Sequence, residues 1–96
     1  MKIDNEKNDI LSEIFKSLAS PIRIGILMIL AEKEHCACEF PCLLNISQPN
    51  SSRNLHVLKS TGLIQSRRDG QKIIYYIEDP YIKKLIKIAS KITLSK

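Results

Sequence analysis

Cys36, Cys38 and Cys42 fall within seven residues of one another. Thiolates bind soft, thiophilic ions and exchange electrons, so so tight a cluster can serve as a ligand set or as a redox switch. Reduced cysteines are also ordinary small core residues, and that use is equally open at this point. A second stretch with chemical potential is Ser47 to Gly62, SQPNSSRNLHVLKSTG. On a helix, Leu55 and Leu58 share one face with Ser51 one turn earlier, while Arg53 and Ser60 lie opposite, flanked by Asn50 and His56. No acid occurs between Gln48 and Arg68. An acid-free face of amides, hydroxyls and one arginine suits a polyanion, because such side chains bond to base edges and phosphates. An ordinary solvated helix has the same pattern, so the neighbouring elements must decide.

Those elements are legible in order. Met1 to Asn8 is polar and expected to fray. Ile10, Leu11, Ile14, Phe15 and Leu18 recur at helical spacing and define a first amphipathic helix. Ser20-Pro21 is a cap followed by proline at the first helical position, and it starts a second helix running to about Glu32. That helix is apolar almost all round, which predicts the central buried helix. A short third helix is expected from about Cys38 to Asn45, with Pro41 near its start. Ser47 then caps the long polar-faced helix and Pro49 suits its first turn; Gly62 ends it. Two helices joined so tightly suit a helix-turn-helix whose second member reads DNA.

Beyond Gly62 the period falls to two. Leu63–Arg67 and Lys72–Glu78 are predicted strands joined by Arg68-Asp69-Gly70-Gln71, a strong hairpin signal. The hairpin carries Arg67, Arg68 and Lys72, so a basic two-stranded wing would follow the reader helix and lie along a phosphate backbone or in the minor groove. Asp79-Pro80 caps a last helix to about Thr93, with Tyr81, Ile82, Leu85, Ile86, Ile88, Ala89 and Ile92 on one side. Lys83, Lys84, Lys87 and Lys91 occupy the other.

Ninety-six residues make one domain spanning 1–96, with a modest core built from aliphatic residues, since there is no Trp. The first and last helices present wide apolar faces that so short a chain cannot cover. Pairing them across a two-fold axis would bury Ile10, Ile14, Leu85, Ile88 and Ile92, making 80–96 a C-terminal dimerisation helix. The net charge of +5 is unevenly spread: residues 1–47 hold five Lys/Arg against seven Asp/Glu, and residues 48–96 hold ten against three. The basic half begins at the reader helix, which favours an anionic partner. No apolar run approaches a membrane span and the N-terminus is too acidic for a signal peptide. The expected location is therefore the cytoplasm, where cysteines stay reduced and a structural disulfide is not expected.

FKSLASPIRIGILMIL, HCACEF and NISQPNSSRNLHVLKSTGLIQSRRDGQKIIYYI, in this order, resemble the arsenical-resistance repressor (ArsR/SmtB-type) family of winged-helix regulators. The resemblance spans about Phe15 to Ile77. It implies a mainly α fold of about five helices with a two-stranded wing, and a homodimeric cytoplasmic repressor of double-stranded operator DNA released by a metal or metalloid. By position, the DNA-facing residues would be Ser47, Gln48, Asn50, Ser52, Arg53, Asn54 and His56, with Arg67, Arg68 and Lys72 on the wing. Ser51 stands where the family usually has an aliphatic residue, and Asn54 where His is common. Cys36-Ala37-Cys38 matches the Cys-x-Cys of thiolate-sensing members. Arsenic-sensing relatives place a third cysteine three residues on, whereas Cys42 here comes four after Cys38. On a helix Cys38 and Cys42 would still share a face, with Cys36 just outside it. Such a set suits As(III), Sb(III), Cd(II), Pb(II) or Cu(I) as effector. DNA binding itself needs no cofactor.

Three rival readings stand beside this one. The cysteines could form a redox switch in a regulator of the same kind, or sense nothing. The lysine-rich last helix could serve a protein or membrane contact. An enzyme is disfavoured: Cys and His could pair as nucleophile and base, but no acid partner or Gly-rich phosphate loop accompanies them.

Overall fold

The computed structural model describes residues 2–94. Helix α1 spans Asn5–Leu18 and α2 spans Pro21–Glu32. A two-residue strand β1, His35–Cys36, follows, then a 3-10 turn at Ala37–Glu39 and helix α3 at Phe40–Leu44. Helix α4 is Gln48–Ser60, strands β2 and β3 are Gln65–Asp69 and Lys72–Tyr76, and helix α5 is Pro80–Ala89. The five-helix winged-helix expectation holds, with several corrections at the edges.

The expected fraying does not reach Asn5. Asp4 accepts a hydrogen bond from the Lys7 amide at 3.1 Å, and this cap starts α1 at Asn5, inside the segment expected to fray. Ser20 and Pro21 begin α2 as predicted, and Ser47 and Asp79 cap α4 and α5. Helix α5 stops at Ala89, short of Thr93. There the Ser90 hydroxyl donates to the Lys87 carbonyl, and the Lys91 and Ile92 amides turn back to Ile88 and Ala89 in tighter i→i+3 bonds. Residues 95 and 96 of the expected dimerisation segment, like Met1, lie outside the described residues.

The third helix differs most. Instead of a helix from Cys38, the chain is extended through Cys36, which pairs with Ile74 while His35 pairs with Tyr75. The Glu39 carboxylate accepts the Cys36 amide at 2.9 Å and closes the 3-10 turn. Proline has no N–H to bond back into a preceding turn, so α3 begins only at Phe40, with Pro41 in its first turn. Asn45 ends α3 in the left-handed region at φ 54°, which aims the chain into α4 within two residues.

The sheet that carries the two-stranded wing is consequently three-stranded, in the order β1-β3-β2 and all antiparallel. Its hairpin is tighter than predicted. Asp69 pairs with Lys72, leaving Gly70-Gln71 as a two-residue loop with Gly70 at φ 63°. Leu63 and Ile64, expected in the first strand, instead turn down into the core.

The core gathers Ile26, Leu27, Leu30 and Ala31 of α2 with Phe40, Leu55, Leu58, Leu63, Ile64, Ile77 and Ile86. Helix α2 is central as expected but not wholly buried: Ile24 and Met28 are 43% and 42% exposed. With Phe15 and Leu18 of α1 and Ile86 and Ala89 of α5 they line an open apolar groove of about 440 Å³. Among the described residues no single helix is long and apolar enough to cross a membrane.

Ser51 sits in this core at 1% exposure, and its Oγ is the one buried side-chain polar atom without a partner among the described residues. A buried hydroxyl left unbonded costs about 1–3 kcal/mol in desolvation. Ser51→Ala removes that cost and only one small atom, so it should stabilise the fold by about 1 kcal/mol, or roughly 4–8 °C in thermal midpoint for a domain of this size. A melt showing destabilisation would mean that the hydroxyl is bonded in solution.

Candidate nucleic-acid interface

Burial sets the orientation of α4. Ser51, Leu55 and Leu58 face the core, which turns Ser47, Gln48, Ser52, Arg53, His56 and Ser60 to solvent. The Gln48 amide donates to the Ser52 hydroxyl at 3.1 Å along this exposed ridge. Arg53 has no intramolecular ion pair among the described residues. The helix N-terminus adds partial positive charge at the same end. Most of the residues expected to face DNA thus share one exposed surface.

Asn54 does not. Its Oδ1 accepts a hydrogen bond from Arg23 Nη1 at 3.3 Å, and its Nδ2 donates to the carbonyl and the Oδ1 of Asn50 at 2.9 and 2.8 Å. Both ends of the amide are engaged inside the protein, so Asn54 is withdrawn from the surface that the sequence assigned it to. Arg23 was missed altogether. It also donates through Nε to the Ser17 carbonyl at 2.7 Å and through Nη2 to that of Lys16 at 3.3 Å, closing the C-terminal end of α1. The available signal was one charge inside the otherwise apolar run of α2.

The wing is divided in the same way. Arg67 makes a two-pronged pair with Glu34, at 2.7 and 2.5 Å, and its guanidinium lies 5.6 Å from the centre of the Tyr76 ring. The charge expected to meet phosphate is neutralised at the base of the hairpin. Arg68 and Lys72 remain exposed near the tip, without ion pairs among the described residues. The arginine holds the Glu34 carboxyl below its ordinary value, chiefly through the side-chain hydrogen bonds.

The three cysteines are not brought together. Cys36 and Cys38 face each other across the 3-10 turn with their sulfurs in contact, while Cys42 is exposed and free on α3. The expected shared face of Cys38 and Cys42 fails because Cys38 is not in the α-helix that carries Cys42. Among the described residues no three His, Cys, Asp or Glu side chains converge as a metal set. His35 Nδ1 lies 3.1 Å from the Glu39 carboxylate rather than beside the sulfurs. Cys36 is nonetheless joined to the wing through β3.

Residues 20–66, from the cap of α2 into β2, match the model of the arsR family of bacterial regulatory proteins. An HTH-type transcriptional regulator of Methanocaldococcus jannaschii is 36% identical over 91% of this chain and 99% of its own length. The arsenic resistance transcriptional regulator of Pseudomonas putida is 37% identical over 85% of this chain and 71% of its own length. The chain belongs to the ArsR family. The solution structure of a homodimeric winged helix-turn-helix DNA-binding domain from Mycobacterium bovis superposes with a TM-score of 0.82 at 27% identity, covering 93% of this chain and 84% of that one. Within this ArsR-family fold α3 and α4 are the helix-turn-helix and the β2–β3 hairpin is the wing.

Glu39 accepts hydrogen bonds from the Cys36 amide and then from His35, which hold its carboxyl below the ordinary value of 4.5. Glu34 is lowered in the same direction. A carboxyl whose folded pKa is depressed contributes stability above its unfolded value and loses it as pH falls through the folded value. Stability should therefore decline below about pH 4.5, and Glu39→Gln should make that decline shallower. Chemical denaturation repeated at several acidic pH values measures both slopes; equal slopes would remove Glu39 from the account.

Proposed function

We propose that this chain is a homodimeric transcriptional repressor that binds double-stranded operator DNA in the cytoplasm. The observation that carries the reading is the exposed, acid-free face of α4, fixed in place by Ser51, Leu55 and Leu58 beneath it. On this reading Gln48, Asn50, Ser52, Arg53 and His56 meet the major groove, and Ser47 with the α4 N-terminus approaches phosphate. Arg68 and Lys72 on the wing meet the flanking backbone. Dimerisation through α1 and α5 sets two such helices at the spacing of operator half-sites, and the Mycobacterium bovis neighbour, itself homodimeric, supports that arrangement. Binding to the DNA upstream of the chain's own coding sequence should fall steeply with salt, with no binding to anionic vesicles. The opposite pattern would favour the membrane reading of the α5 lysines.

The effector part of the proposal rests on Cys36 and Cys38. A three-thiolate centre does not fit the arrangement described, since Cys42 stands apart. Once reduced, the Cys36–Cys38 pair supplies two soft donors for As(III), Sb(III), Cd(II), Pb(II) or Cu(I). The arsenic resistance relative makes As(III) the first ion to try. A second reading is favoured by the contact of the two sulfurs: oxidation of the dithiol, in which hydrogen peroxide accepts two electrons and two protons and leaves a disulfide and two waters. Either chemistry must bind or stabilise one state over the other, and a typical coupling of about 1–3 kcal/mol gives roughly 5–150-fold release from DNA. Cys38→Ser should keep operator affinity and lose the response. Operator titrations with the reduced protein plus each ion, and separately with peroxide, tell the two apart. A change below about twofold in every arm would leave the cysteines as core residues.

A further inference from the structure

Arg23 is a donor with no acceptor atoms, and this fixes the orientation of everything it touches. The atom of Asn54 facing it must be the carbonyl oxygen. Asn54 therefore presents its NH2 group toward Asn50, where the partners are the backbone carbonyl and Oδ1. Asn50 Oδ1 is thereby engaged as an acceptor. What remains unbonded is Asn50 Nδ2, which reaches solvent, because Ser51 Oγ is the only buried side-chain polar atom lacking a partner among the described residues. Asn50 lies in the first turn of α4, one turn before Arg53.

We propose that Arg23 and Asn54 form a relay that fixes Asn50 as a hydrogen-bond donor toward the major groove, making Asn50 a specificity-determining residue for a base edge that bears acceptors. Guanine, with N7 and O6, is the fullest match; thymine O4 and adenine N7 each offer one acceptor, the latter beside an amino donor, and cytosine offers none. An unconstrained asparagine can turn either end of its amide outward and accept or donate as the base demands. The relay removes that freedom, since rotating Asn50 would set its NH2 against the NH2 of Asn54, and rotating Asn54 would set donor against donor at Arg23. Arg23 and Asn54 are positioning residues and touch no base. The relay also ties the reader helix to the last carbonyls of α1, through the Arg23 bonds to Ser17 and Lys16.

The inference rests on α4 being the DNA reader, and the test separates the two. The full chain is used to select duplexes from a pool of double-stranded DNA with a randomised centre. The wild type should enrich guanine or thymine at one position, and Asn50→Ala should lower that enrichment about tenfold. Asn54→Asp is the deciding variant. Its carboxylate still accepts from Arg23 but has no hydrogen to give, so Asn50 must turn its NH2 inward and its oxygen outward. The preferred base at the same position should then change to cytosine, the one base whose major-groove edge offers only an amino donor. Affinity for mixed-sequence DNA should fall alike for all sequences, because the variant adds one negative charge beside the reader helix, so the change of preferred base is the readout. Arg23→Leu should flatten the preference, and if that variant fails to fold, Asn54→Asp alone decides. A retained guanine or thymine preference in Asn54→Asp, or a loss with no change of base, overturns the relay. A wild type that selects no sequence overturns the reading of α4 instead.

Discussion

Ile88→Glu should convert the protein to a monomer and cost at least about a hundredfold in operator affinity in the same step. Ile88 on α5 is 63% exposed, and Ile10 on α1 and Ile92 just beyond α5 are 62% and 66% exposed. Together with Phe15, Ile24 and Met28 they leave more apolar surface uncovered than scattered exposure accounts for. A carboxylate buried at such an interface without a partner is costly enough to separate the subunits. Operator binding falls with it because linking two half-site readers typically multiplies affinity by about 10²–10⁴. Leu85 is a less clean probe, since it is already half-buried within one subunit. Lys87→Glu, on the polar side of α5, should leave the dimer intact and controls for charge. Light scattering and operator titration on the same preparations measure both effects. A wild type that is monomeric at micromolar concentration overturns this account.

Arg53→Ala should cost about 1–3 kcal/mol, or roughly 5–150-fold, and relax preference at one operator position. The guanidinium stands exposed on α4 without an intramolecular ion pair among the described residues, so little holds it back from a two-pronged base contact. Arg68→Ala should instead weaken all duplexes alike and lower the salt slope by about one ion. Arg67→Ala should do less to DNA binding than Arg68→Ala, because Glu34 already neutralises Arg67. Affinities measured at several salt concentrations against matched and mutated duplexes separate these effects. Indistinguishable profiles for Arg53→Ala and Arg68→Ala would end the division between reader helix and wing.

What could be read in the residues was whatever repeats locally. Leu55 and Leu58 gave the inward face of α4, and Ser20-Pro21 and Asp79-Pro80 gave helix starts within a residue. Strand β1 was illegible because two residues have no period; only its partner Ile74, far along the chain, makes Cys36 a strand residue. Arg67 and Arg68 look alike in sequence, and the difference between them is Glu34, which lies 33 residues before Arg67. Asn54 joined the DNA-facing set only by its position, where the family commonly has His, yet its role follows from Arg23, 31 residues earlier. The cysteine geometry failed for a related reason. Helical spacing was applied to Cys38 and Cys42, but the Glu39 cap and Pro41 had already divided that segment into turn and helix.

The strand order β1-β3-β2 also determines how the molecule protects itself from others of its kind. With β3 enclosed on both sides, β2 is left with one row of unpaired backbone groups, a template on which a foreign strand could grow. Its sequence, Gln65 to Asp69, is all polar and carries Arg67, Arg68 and Asp69. Long charged side chains on an open edge oppose the docking of an incoming strand. The two arginines of β2, one paired with Glu34 and one free of ion pairs among the described residues, are thus also the wing's guard against polymerisation. A variant that neutralises both can precipitate for a reason unrelated to DNA, so a loss of binding in it carries meaning only beside a turbidity record.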